Sequence, residues 1–107
     1  MAGAYARCVI FSKELQDDVR SGAITVSFRL WKRPKVKVGG RYPIGSGGVG
    51  GPQIEVDSIE LIPFAAITED DVRQAGEPDR ETLRRRAAHA GPIHDDTLLY
   101  RVEFHPV

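Results

Sequence analysis

Apolar and polar residues alternate most cleanly across "ITVSFRLW". Ile24, Val26, Phe28 and Leu30 fall on one side of an extended chain, and Thr25, Ser27, Arg29 and Trp31 on the other. The pattern predicts a strand with an apolar core face. Its other face carries two hydroxyls, a guanidinium and an indole in register. Upstream, Cys8-Val9-Ile10-Phe11 predicts a short buried strand. Ser12 then caps a helix over "KELQDDVRS", with Leu15 and Val19 one turn apart, Asp17 and Asp18 facing water, and Gly22 as the stop. Beyond Pro34 and the "VGG" turn at 38–40, "RYPIG" predicts a short strand that Pro43 confines to an edge or a bulge. β character resumes from Ile54 to Ile67, and a slip of apolar parity between Val56 and Ile59 predicts a bulge near Asp57 and Ser58. Thr68 caps "EDDVRQ", which Gly76 ends, and Asp79 caps a second helix that Gly91 ends. "PIHDD" is a loop. The closing strand "LLYRVEF" places Leu98, Tyr100, Val102 and Phe104 on one face. The order β-α-β-β-β-α-α-β predicts an α+β fold rather than a doubly wound sheet.

At 107 residues, 41% hydrophobic and 28% charged, the chain is expected to form one soluble domain. No apolar run has transmembrane length, and the N-terminus lacks a basic segment followed by an apolar one, so a cytoplasmic location is expected. Cys8 is the single cysteine, which excludes an intrachain disulfide and fits a reducing compartment. Its apolar neighbours make it a buried small hydrophobe rather than a nucleophile.

Charge changes this picture. Fifteen Lys and Arg balance fifteen Asp and Glu, but the two signs are segregated. Seven cations (Arg20, Arg29, Lys32, Arg33, Lys35, Lys37 and Arg41) and no acid lie between Val19 and Ile54, and six acids with no cation run from Glu55 to Asp71. A neutral protein with a basic lobe focuses a local positive potential, although charge runs are commonly just solvated faces.

Four features carry candidate chemistry. Gly45-Ser46-Gly47-Gly48-Val49-Gly50 matches G-x-G-x-x-G, but Pro52 and the strand-like "QIEV" follow where a dinucleotide fingerprint requires a helix, so the stretch reads as a hairpin loop. His89, His94 and His105, with Asp95 and Asp96, lack any helical His pair or Cys cluster, and neither metal nor cofactor is expected. Arg84-Arg85-Arg86 spans most of a helical turn, so at least one of them points inward or along a groove. The basic stretch is the strongest. Arg29 and Trp31 share a strand face, Lys32, Arg33, Lys35 and Lys37 continue from its end, and Arg41 and Tyr42 follow the turn. Cations neutralise phosphates, and aromatic faces or guanidinium planes stack bases. The competing reading packs Trp31 beneath the loop and leaves the lysines to water.

"GAITVSFR", residues 22–29, resembles the G-x-K-x-x-x-x-R signature of ASCH domains, part of the PUA-like superfamily. Gly22 and Arg29 hold the signature's glycine and arginine. "ITEDDVRQAG" and "LLYRVEFH" are similar to the same family, and the resemblance runs from about Ala6 to the end as one domain. It implies a small curled β-barrel with helices flanking one opening, and a cleft lined by signature residues. Family members are associated with RNA or modified nucleosides. One bacterial branch hydrolyses N4-acetylcytidine and some relatives are reported as ribonucleases. In the amidohydrolase branch the signature lysine works with a threonine three residues later and a glutamate from the helical insert. Here the lysine position is Ile24, the threonine position is Ser27, and Glu77 is the nearest candidate for the glutamate. Isoleucine cannot move a proton, and a hydroxyl without a base is a weak nucleophile.

The expectation is therefore a non-catalytic module for RNA or a nucleoside-like ligand. Arg29 contacts phosphate or a carbonyl edge, and Trp31 stacks. Lys32, Arg33, Lys35, Lys37 and Arg41 steer the backbone, and Thr25 and Ser27 supply hydrogen bonds. The alternative is a hydrolase or metal-independent ribonuclease built on Ser27, Arg29, Lys32 and Tyr42. A third reading makes Trp31 the anchor of a protein interface.

Overall fold

The structure, a computed structural model, describes residues 13–44, 53–88 and 91–107. Helix α1 (Lys13–Ser21) is followed by strand β1 (Val26–Arg29), the short β2 (Arg41–Pro43) and the long β3 (Gln53–Pro63). A 3-10 turn (Phe64–Ala66) leads to α2 (Glu69–Gln74) and α3 (Arg80–Ala87), and β4 (Leu98–Pro106) closes the chain. All pairings are antiparallel, in the order β1-β4-β3-β2, so the last strand lies inside the sheet. The fold is α+β. Among the described residues the sheet stays open rather than closing into a barrel. The expected strand Cys8–Phe11 and the Ser12 cap lie outside the described residues, as does the glycine-rich segment from Gly45 to Gly51.

Residues paired across an antiparallel ladder share a sheet face, so register sorts the side chains. One face presents Ile54, Val56, Val102 and Phe104, which pack with Val19 of α1, Ile24, Val36 and Ile44. The other face contributes Val26, Phe28 and Leu99 to a second cluster with Phe64, Ile67, Val72, Leu83, Ala87 and Ile93. The sheet is thus covered on both sides, and the strands' polar positions are not simply solvent-facing.

This corrects one expectation. Ile24 does not share a core with Val26 and Phe28; it belongs to the α1 side. The amides of Ala23 and Ile24 both donate to the Asp18 carbonyl at the end of α1, and the Thr25 amide donates to the Gln74 carbonyl of α2. Residues 23–25 are tied to two helices, so strand alternation starts only at the Thr25 carbonyl, which accepts from the Phe104 amide. The predicted bulge is present: register slips between Val56 and Ser58, opposite Phe104 and Glu103.

The helices begin where their caps dictate. Thr68 and Asp71 form a reciprocal capping box, and the Asp79 carboxylate accepts from the Thr82 amide at 2.7 Å. Asp71 also accepts two hydrogen bonds from the Arg101 guanidinium, at 3.1 and 3.2 Å, which joins α2 to β4. Burial opposes ionisation of Asp71, but the hydrogen bonds from the Thr68 backbone and Arg101, with the charge of Arg101, outweigh it and hold the carboxyl below its usual range. A carboxyl whose folded pKa is depressed contributes stability above its unfolded pKa and loses it as pH falls through the folded one. Acid titration of the wild type is therefore expected to show stability declining below about pH 4. Asp71→Asn should flatten that limb, as denaturant melts at several pH values will show. An unchanged limb would mean that the pair contributes nothing.

Of the arginine run, Arg84 and Arg86 are tied into the fold, together with Arg80 one turn earlier, and Arg85 stays exposed. Arg80 and Arg84 lie 4.7 and 4.5 Å over the Phe64 ring. Arg80 donates to the Phe64 and Ile67 carbonyls, Arg84 to the Ile93 carbonyl, and Arg86 to Glu77.

Candidate functional site

The face of β1 that bears Ser27 and Arg29 continues across two neighbours. Register aligns Ser27 with Val102 and Ile59, and Arg29 with Tyr100 and Leu61. At the Ser27 row the face is closed by core packing. At the Arg29 row it opens, and Leu61 and Leu98 are about half exposed, at 49% and 50%. Trp31 lies beyond the strand end with its ring 6.1 Å from that of Tyr100, tilted by 38°. Both rings rest partly on the α1-side core, so each has a fixed base and an accessible part. The result is an apolar shelf beside a guanidinium.

Arg29 is the unusual member. Its Nε donates to the Ser27 hydroxyl oxygen at 2.7 Å, and burial pulls its pKa down to about 10. It remains a cation at neutral pH, but one with little water around it. Removing water strengthens its interaction with an approaching anion.

The basic rim is fixed to this shelf rather than loose. Val36 is buried in the core between exposed Lys35 and Lys37. The Tyr42 hydroxyl accepts from the Lys37 amide at 3.0 Å, Gly39 donates to the Val56 carbonyl, and Val56 donates back to Gly40. A side chain at Gly40 would meet the Tyr42 phenol at 2.6 Å, so the tight turn requires glycine. Lys32, Arg33, Lys35 and Lys37 are all exposed. Arg41 stands apart. It pairs with Glu55 at 3.1 Å and shares the sheet face opposite Tyr42.

The sequence missed Tyr100, Leu61 and Leu98 as members of this region. Alternation placed Tyr100 on its proper face, but only the sheet order puts β4 next to β1 and brings that ring to Arg29.

No family sequence model matches the chain, and comparison with curated proteins finds no relative. Solved structures do match. The chain is similar to an ASCH domain from Lactobacillus crispatus, with 17% identity and a TM-score of 0.67 over 92% of this chain and 76% of that one. The chain has an ASCH-like fold. An Enterococcus faecalis protein assigned to the family DUF984 is also similar (18% identity, TM-score 0.66, 88% of this chain and 67% of that one). So is the hypothetical protein PH0355 (14% identity, TM-score 0.67, 92% and 96%).

Ile24, which stands where the resembled signature has lysine, is a core contact. Ile24 is 2% exposed and lies against Gly76, whose backbone has φ +78°. The Ser27 hydroxyl already accepts from Arg29, and the Tyr42 hydroxyl from Lys37. Glu77, which follows Gly76, is buried. One of its oxygens accepts from Arg86 at 3.0 Å, and the other is buried without a hydrogen-bond partner among the described residues. Burial raises its pKa, against the pull of Arg86 and with a smaller push from Asp79. Among the described residues no helix is long and apolar enough to cross a membrane.

Proposed function

We propose that the domain binds RNA or a nucleoside-like ligand on the shelf formed by Trp31, Tyr100 and Leu61. Arg29 receives a phosphate or carbonyl edge, and Lys32, Arg33, Lys35 and Lys37 guide the backbone. The observation that carries this reading is the desolvated Arg29 guanidinium at the margin of a partly buried aromatic pair. A flat ring accepts any base, while a poorly hydrated cation favours an anion or a carbonyl. Ser27 acts through Arg29, whose Nε donates to its hydroxyl oxygen, Thr25 stays a proposed polar neighbour, and Arg41 is left out because Glu55 holds it on the other face. A cytoplasmic location suits that ligand class.

Single-stranded RNA pools titrated by fluorescence anisotropy over a salt series test the proposal. Affinity is expected to fall with salt, with a log–log slope near −0.7 per neutralised phosphate. Trp31→Ala should weaken binding about tenfold or more, the value of one lost stack. Lys35→Ala should reduce the salt slope by about 0.7 for every sequence alike. Undetectable or salt-independent binding by a folded protein would overturn the reading.

A further inference from the structure

The strand face opposite the shelf carries a second constellation. Glu55 of β3 and His105 of β4 are direct cross-strand partners on this face. Asp57 is the extra residue of the bulge, unpaired between Val56 and Ser58, and its carboxylate reaches the His105 ring. Both Asp57 oxygens lie near His105 Nδ1, at 2.9 and 3.0 Å. The other ring nitrogen, Nε2, faces Glu55 Oε2 at 4.0 Å. Arg41 holds Glu55 Oε1 at 3.1 Å, which turns Oε2 towards the imidazole. One donor atom from each of the three side chains falls within 4.8 Å of the others.

We propose that Glu55, Asp57 and His105 form a binding site for a divalent transition-metal cation of the zinc class. The chemistry divides the roles. A carboxylate against Nδ1 calls for the proton on that nitrogen, which leaves the Nε2 lone pair free in the neutral ring. Metal-bound histidines are commonly oriented this way, with a carboxylate on the nitrogen that does not touch the metal. His105 Nε2 and Glu55 Oε2 are then the ligands, and Asp57 and Arg41 are the groups that orient them. Donors around a tetrahedral ion with bonds of about 2.1 Å lie roughly 3.4 Å apart, so a small rotation of these two side chains closes the 4.0 Å gap. All three groups are at least partly exposed, so water or an incoming carboxylate or phosphate completes the coordination. An imidazole with a carboxylate favours zinc, nickel or copper over magnesium, which prefers an all-oxygen shell. The bulge has a physical consequence here, since it aims Asp57 at a ring in the neighbouring strand.

The site lies on the sheet face opposite Ser27 and Arg29, so it stands independently of the RNA reading. Isothermal titration of the full chain with zinc chloride, and in parallel with magnesium chloride, tests it. The expected result is one zinc per chain with no magnesium binding, and a rise in thermal midpoint of a few degrees at saturating zinc. Asp57→Asn should weaken zinc binding about tenfold to a hundredfold, the usual effect of losing an orienting partner. His105→Ala and Glu55→Gln should weaken it further, while His94→Ala and Cys8→Ser leave it intact. Circular dichroism of each variant confirms the fold. Absence of zinc binding to the wild type, or loss in His94→Ala or Cys8→Ser with retention in His105→Ala, would overturn the assignment.

Discussion

Ile24→Lys is expected to destabilise the domain by about 4 kcal/mol or more at neutral pH, although it would complete the resembled G-x-K-x-x-x-x-R pattern. Ile24 is 2% exposed and packed with Val19, Val36, Val56 and Phe104. Replacing it forfeits about 2–3 kcal/mol of apolar burial. An ammonium placed there must also shed its water or lose its proton. A buried lysine has a folded pKa below its unfolded value near 10.4, so the unfolded chain binds more protons and stability rises with pH. The loss should therefore shrink between about pH 7 and pH 10. Urea melts of wild type and variant at both pH values measure this. A loss under about 1 kcal/mol with no pH dependence would mean that the lysine finds water, and that the pocket is more open than the packing indicates. The same substitution bears on chemistry. A lysine forced neutral by burial is a competent base, so any hydrolysis of N4-acetylcytidine gained by the variant would show that the remaining groups are catalytically arranged.

Gly76→Ala is the second large effect, expected near 3 kcal/mol. Two causes add. The left-handed backbone at φ +78° costs a side-chain-bearing residue about 1–2 kcal/mol. The new methyl would also stand 2.5 Å from Ile24 Cδ1 and 2.8 Å from its Cγ1, an overpacking cost of about 1–3 kcal/mol. These causes separate experimentally. In an Ile24→Ala background the clash disappears and only the backbone strain remains, so Gly76→Ala should then cost about 1–2 kcal/mol. The double-mutant cycle should show a favourable coupling of about 1 kcal/mol or more. Strict additivity would assign the whole effect to the backbone and remove Ile24 from the account.

These two residues show how the resemblance and the fold fit together. Gly76 ends α2 and Gly22 ends α1, both at positive φ, and both are legible as helix stops. Their shared consequence is not. The stops fold the chain back so that Ile24 meets Gly76 across the gap between the helices. An apolar contact occupies the position that aligns with the lysine of the resembled signature.

Much of the framework can be read along the chain because it rests on local physics. Thr68 and Asp79 cap their helices through their own side chains, Pro43 sits on an edge strand, and the parity slip after Val56 marks the bulge. Each depends on residues within a few positions. The proposed binding face is legible in the same way for Ser27, Arg29 and Trp31, whose alternation is a property of one short segment.

What local reasoning misses is everything set by strand order and by non-local tethers. Ile24 changes core because its neighbours' amides bond to Asp18 and Gln74, one of them fifty residues downstream. Arg41 follows basic residues in sequence, yet pairing with Glu55 turns it to the opposite face. Along the sequence His105 has His94 as its nearest histidine, whereas the ladder sets it against Glu55 and the bulge against Asp57. The sequence by itself determined the helices, the Thr68 and Asp79 caps, the bulge, the basic rim and the α+β class, because propensity, capping and alternation act over a few residues. Only the tertiary structure decided which face each charge serves and that Tyr100 meets Trp31 beside Arg29, because antiparallel pairing joins positions about seventy residues apart.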